Sequence, residues 1–196
     1  MSILHRFTAI FGTGLISYLI LTNLFADRAL SSQFANGTVV FDKSPRLLDA
    51  VTTFNNVRAW GATYYFTIEL PQEAGEPINQ VVISQRQGSE DIDFFLDKTV
   101  AVKGEYGNKG EAIALQKVNQ DEKTKAITVV FESPVEPGTT FSIGLKPKEN
   151  PSYSGIYLFG VTAIPLGEKP QPLYLGVGRL TFYSGSDNFD SMRHFR

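Results

Sequence analysis

Residues 137–165 read Pro-Gly-Thr-Thr-Phe-Ser-Ile-Gly-Leu-Lys-Pro-Lys-Glu-Asn-Pro-Ser-Tyr-Ser-Gly-Ile-Tyr-Leu-Phe-Gly-Val-Thr-Ala-Ile-Pro. Pro137-Gly138 signals a turn, because proline presets φ and glycine accepts positive φ. After it Phe141, Ile143 and Leu145 alternate with Ser142, Gly144 and Lys146, the period-two pattern of a strand with one buried face. The second run is apolar on both sides, with Ile156, Leu158 and Ile164 on one and Tyr157, Phe159 and Val161 on the other. That pattern predicts a central strand covered from both faces, on which the rest of the chain packs.

Working outward, residues 62–70 form a clear strand, with Tyr64, Phe66, Ile68 and Leu70 opposite Thr63, Tyr65, Thr67 and Glu69. Further strands are expected at 38–42, 80–87, 92–96, 99–102 and 173–183, where Gly176 and Gly178 suggest a bulge or a close backbone approach. Residues 112–118 and 126–131 read as a hairpin across a polar connection. Residues 104–110, with three glycines, read as a mobile loop. Residues 47–54 read as irregular or as one short helix, since Leu47, Leu48, Val51 and Phe54 are spaced by one, three and three. About nine short strands and no long helix in the body argue an all-β protein. The fold expected is a single-domain β-sandwich over residues 36–183, immunoglobulin-like in general architecture, with a polar tail at 184–196. Its Pro-Gly-Thr-Thr-Phe corner is similar to the one before a late strand in such sandwiches, although Phe141 stands where a tyrosine would. The likeness concerns fold alone.

The chain has 196 residues, 42% hydrophobic and 19% charged, with a net charge of −2. That suffices for one sizeable core. Residues 1–31 read as a signal peptide or N-terminal anchor: His5 and Arg6 precede an uncharged apolar run at 7–25, and Ala29-Leu30-Ser31 offers small residues before Ser32. Without that segment, which holds two arginines and one aspartate, the net charge moves from −2 to −3. Neither value suits nucleic acid, which calls for basic patches. Membrane contact is expected only through residues 7–25, if they are not removed. The body is then extracytoplasmic: periplasm, envelope or secreted, with a thylakoid lumen also open.

Cysteine is absent, which removes thiol catalysis, thiolate metal sites and lipidation at a mature N-terminal cysteine. The two histidines, His5 and His194, lie outside the body, so a Ser-His-acid site has no base there. No catalytic residue, metal ligand or cofactor is expected. Paired carboxylates among Glu90, Asp91 and Asp93 leave a glycoside hydrolase as a distant alternative; these acids read more simply as solvated charge at a turn. Binding is the better candidate. Tyr153 supplies a ring in the polar loop between the two best core strands, beside Asn150, while Trp60 and Tyr65 flank or join the strand at 62–70. Surface rings stack on sugars or anchor protein partners, although most rings in a sandwich are core. A non-enzymatic envelope module binding a protein or polysaccharide is therefore expected. The alternative is a structural or assembly component that uses a sheet edge.

Several segments read jointly carry a closer likeness: 61–71 (Gly-Ala-Thr-Tyr-Tyr-Phe-Thr-Ile-Glu-Leu-Pro), 74–77 (Ala-Gly-Glu-Pro), Pro137-Gly138-Thr139-Thr140, Asn150-Pro151, 155–163 and 175–183. They resemble an exported cyanobacterial family known only as a domain of unknown function, number two-eight-zero-eight, over roughly residues 36–183. The resemblance implies a signal-bearing envelope or secreted protein. It implies no catalytic residues.

Overall fold

The computed structural model describes residues 37–185. Residues 1–31, expected to be a signal peptide or anchor, and most of the polar tail, with His194, lie outside the described residues. In chain order the strands are β1 (Thr38–Val39), β2 (Arg46–Thr52), β3 (Tyr64–Leu70), β4 (Ile78–Gln87), β5 (Val100–Glu105), β6 (Asn108–Ile113), β7 (Leu115–Gln120), β8 (Ile127–Val135), β9 (Thr139–Leu145), β10 (Gly155–Pro165), β11 (Lys169–Pro170) and β12 (Leu173–Phe182). Ten of them make two five-stranded antiparallel sheets, ordered β12-β10-β4-β8-β7 and β2-β3-β9-β5-β6. The two-residue β1 and β11 pair in parallel beside them. The expected all-β sandwich is the fold. Its twelve strands outnumber the expected nine or so because the sequence pattern does not predict β2 and β11 and the stretch 112–118 belongs to two strands, although 92–96 belongs to none.

Each sheet turns one face inward, as the period-two pattern requires. Tyr64, Phe66, Ile68 and Leu70 of β3 and Phe141, Ile143 and Leu145 of β9 are fully buried against Tyr157, Phe159, Val161 and Ala163 of β10. Phe159 is the hub of the ring packing: it lies 5.6 Å from Phe66, 6.1 Å from Tyr64 and 6.4 Å from Phe94, each edge-on. Burying one such side chain stabilises the fold by roughly 1.5–3 kcal/mol, so this layer of rings dominates the core.

Several sequence expectations need correction. The central strand is covered on one side only: Ile156 is exposed, and Leu158, expected in the core, is half-buried. An apolar residue can sit on a solvated sheet face without a partner, so apolar alternation on both faces does not require two covers. Residues 47–54 are not helical. They contain β2, whose register moves from Leu47↔Ile68 to Asp49↔Thr67, and the unpaired Leu48 in between mimics helical spacing. Residues 104–110 are the tip of the β5–β6 hairpin, with Gly104 at φ +85° where an added Cβ would meet the Asn108 carbonyl oxygen at 2.3 Å. The stretch 112–118 is two strands, because the chain leaves one sheet after Ile113 and joins the other at Leu115. Residues 92–96 are not a strand either. They cross from β4 in one sheet to β5 in the other, with one isolated bridge from Phe94 to Pro147.

Candidate functional site

β2, β4, β7 and β9 finish at one end of the sandwich, and β3, β5, β8 and β10 start there. The connections 53–63, 88–99 and 146–154 therefore crowd together, and backbone hydrogen bonds stitch them. Phe95 N–H donates to the Lys146 carbonyl (2.9 Å) and Lys148 N–H to that of Asp93 (2.8 Å). Asn150 N–H donates to the Ala59 carbonyl and Arg58 N–H to that of Pro151, both at 3.0 Å. Tyr183 joins the same end, donating to the Asn55 carbonyl (2.9 Å) and accepting from Val57 N–H (3.0 Å).

Asn150 is the bolt. Its side chain is 2% exposed; its Oδ1 accepts from the Tyr64 hydroxyl (2.9 Å), and its Nδ2 donates to the carbonyls of Phe54 (2.8 Å) and Asn56 (2.9 Å). Both amide donors and the amide oxygen are engaged inside the protein, so the buried Asn150 does not present itself to a partner as its polar loop suggested. Burial holds the Tyr64 phenol far above its ordinary pKa, with the nearby Tyr157 adding to the effect, and keeps it a neutral donor to Asn150.

The 152–154 segment is tied down separately. One carboxylate oxygen of Glu90 accepts from the backbone N–H of Ser152 and of Tyr153 (3.1 Å to the latter). The Tyr157 hydroxyl donates to the Tyr153 carbonyl (3.1 Å). Desolvation raises the Tyr157 pKa, and the negative charge of Glu90 raises it further. Gln85 holds the 90–92 backbone, donating to the Glu90 carbonyl (2.7 Å) and accepting from Ile92 N–H (3.1 Å). The three clustered acids thus differ: Glu90 anchors a loop, Asp93 pairs with Lys148 at 3.5 Å, and Asp91 is exposed. A cleft of ≈ 200 Å³ lies between these acids and the Lys148–Ser152 segment. Among the described residues no group of three or more His, Cys, Asp or Glu side chains could hold a metal ion.

From this stitched frame the rings project. Trp60 is 74% exposed, Tyr153 62%, Phe54 54% and Tyr183 43%. Trp60 follows the Ala59 carbonyl that Asn150 N–H holds, so the Trp60 and Tyr153 loops share one anchor. Sequence reasoning missed Phe54 and Tyr183, since each ends an apolar run and reads as core. Tyr65 is elsewhere: it is 8% exposed on the outward face of β3, where Lys109 Nζ donates to its hydroxyl (2.8 Å) and Tyr106 lies 5.0 Å from its ring. Of the four residues picked from sequence, Trp60 and Tyr153 share the exposed end, Asn150 supports it from within, and Tyr65 does not belong to it.

An antiparallel two-sheet sandwich with rings at one loop end defines the structural class. Within it the chain belongs to the family described as a protein of unknown function (DUF2808), which matches residues 38–182. No curated protein matches the sequence. Among solved structures the chain is similar to the bacterial hydrophobin BslA, at 14% identity over 72% of this chain and 95% of that one, TM-score 0.45. It is also similar to the collagen-binding domain of a Staphylococcus aureus adhesin, at 11% identity over 62% and 87% of the two chains, TM-score 0.33. A third is the C-terminal domain of the Streptococcus pyogenes antigen I/II-family protein AspA, at 10% identity over 67% and 46%, TM-score 0.39.

Proposed function

We infer that this protein is an exported, non-enzymatic envelope module that binds a protein or polysaccharide partner reversibly through its ring-bearing end. The observation that carries this is the exposure of Trp60 and Tyr153 on loops bolted by the buried Asn150. A flat ring loses little conformational freedom on binding, and a preformed loop limits the ordering cost further. Trp60 is the single tryptophan of the chain, so its fluorescence reports on this end alone.

The test is capture from envelope fractions by the full chain, followed by Trp60 emission as the partner is titrated. Trp60→Ala and Tyr153→Ala should each lose capture at unchanged melting temperature. Capture that survives both, with lowered melting temperatures, makes the loops structural. A second reading is supported by β12, a ten-residue strand that pairs, among the described residues, only with β10 and carries a single charge, Arg179. Such an edge can accept a strand from another chain, which suits an assembly component.

A further inference from the structure

The two sheets carry their charges differently. In the β2-β3-β9-β5-β6 sheet the ionised side chains are of both signs, and two pairs of them meet: Arg46 with Glu69, and Lys103 with Glu111 at 2.9 Å. The strands of the β12-β10-β4-β8-β7 sheet hold Arg179, Arg86 and Lys117 against a single acid, Glu132. All three cations are exposed, and none lies within ion-pair distance of a carboxylate among the described residues. Asp49 of β2 lines a cleft at the sheet edge with Arg179, yet its carboxylate accepts from Ala50 N–H (2.8 Å) and makes no ion pair. In a protein of net charge −2, one outward face has gathered unpaired positive charge.

The register places these cations among apolar and hydroxyl side chains. Arg179 stands opposite Leu158, and Arg86 is the bulged residue opposite the Leu158–Phe159 step on the other side of β10. The two arginines thus flank β10 about 10 Å apart, two strand spacings. Arg86 lies back over Gly160, where its Nε is 2.8 Å and the Tyr174 ring 3.2 Å from the position of an added Cβ. Thr162, Ser84 and Thr128 alternate on the same face with Ile164, Val82 and Val130. β10 runs eleven residues, so the face extends roughly 36 Å along the strands.

We propose that this outward face binds an acidic polysaccharide, a chain of sugars bearing carboxylate or sulfate groups. Guanidinium groups pair such anions bidentately, the Tyr174 ring and the aliphatic side chains cover the apolar faces of sugar rings, and the hydroxyls exchange hydrogen bonds with theirs. A second copy of this chain fits poorly, because each face would bring like charge to the other. A lipid surface fits less well, because hydroxyl side chains such as Thr162 and Thr128 interleave with the apolar ones. The surface is distinct from the Trp60 end, and its proposal does not rest on that end's function.

The test uses the full chain with immobilised polygalacturonate and dextran sulfate, and unsubstituted dextran as the neutral comparison. The expected result is binding to the two acidic polymers and not to dextran, weakened by added salt. The double variant Arg86→Gln/Arg179→Gln should raise Kd by at least about tenfold, the loss of charge-assisted contacts at unchanged melting temperature. Lys117→Gln should weaken binding to a smaller degree, while Lys123→Gln/Lys125→Gln at the β7–β8 turn should leave it intact. Equal binding to dextran, or no binding to either acidic polymer, overturns the proposal. So does unchanged affinity in the double arginine variant. Binding to phosphatidylglycerol vesicles but not to the polymers makes the face a membrane contact, and binding only to an acidic protein makes it a protein interface; both also overturn it.

Discussion

Replacing Asn150 by alanine removes three side-chain hydrogen bonds at once: those with the Tyr64 hydroxyl and with the carbonyls of Phe54 and Asn56. The consequences are unequal. Tyr64 is fully buried, so its hydroxyl is left without a partner and carries the desolvation penalty of roughly 1–3 kcal/mol. Phe54 and Asn56 are exposed residues whose carbonyls can recover water, so each bond costs nearer the net value of about 0.5–1 kcal/mol. The sum is on the order of 3 kcal/mol, which for a domain of this size lowers Tm by roughly 6–12 °C. Thermal and urea melts of the variant measure it. Tyr64→Phe supplies the cross-check, because it strands Asn150 Oδ1 instead. The double variant Asn150→Ala/Tyr64→Phe should then cost less than the two singles together, by about 1 kcal/mol, the signature of a shared contact. If Asn150→Ala melts within about 2 °C of the parent while partner capture is lost, Asn150 contacts the partner and the bolt described above is wrong.

Three further outcomes follow from the packing. Phe159→Ala should cost on the order of 3–5 kcal/mol in a denaturant melt, because its ring meets Phe66, Tyr64 and Phe94 and no neighbour can fill the space. Gly178→Ala should destabilise by about 1–3 kcal/mol through overpacking, since its Cβ would lie 2.6 Å from that of Ala50 and 3.0 Å from the Phe66 ring; a variant as stable as the parent would mean β2 and β12 do not pack as described. Alkaline stability should depend on Tyr64, whose pKa is raised by burial. Its contribution is complete below pH ~10, where tyrosines of the unfolded chain begin to ionise, and stability then falls by up to about 1.4 kcal/mol per pH unit as the unfolded state releases protons first. Tyr64→Phe should flatten that limb of a pH–stability curve.

Legibility in the sequence followed the number of partners a residue needs. β3 and β9 are readable because in each the large apolar side chains alternate cleanly with other residues, a property the residue order carries alone. β2 is not, because its alternation is broken by a bulge whose only cause is the pairing with β3. The passage from β6 to β7 is invisible for a related reason: apolar and polar residues keep alternating through Ile113 and Leu115 while the chain changes sheets. Tyr153 was recognisable as an exposed ring from its polar loop. Asn150, three positions earlier, was not recognisable as buried, because its partners Tyr64, Phe54 and Asn56 lie 86 to 96 residues away in sequence.

The outward face of β10 carries the same lesson further. Its run of Ile156, Leu158 and Ile164 looks like a second core face, and in the fold it is a solvated surface with arginines on either side. A strand enclosed on both sides would have needed neighbours free of charge on that side, yet Arg86 and Arg179 both project there. The local pattern of one strand therefore cannot separate a buried face from a binding face. The charges on the two strands that pair with it can, once the register is known, and here they set a sheet that carries both signs, partly in ion pairs, apart from one whose cations remain open to an anionic partner.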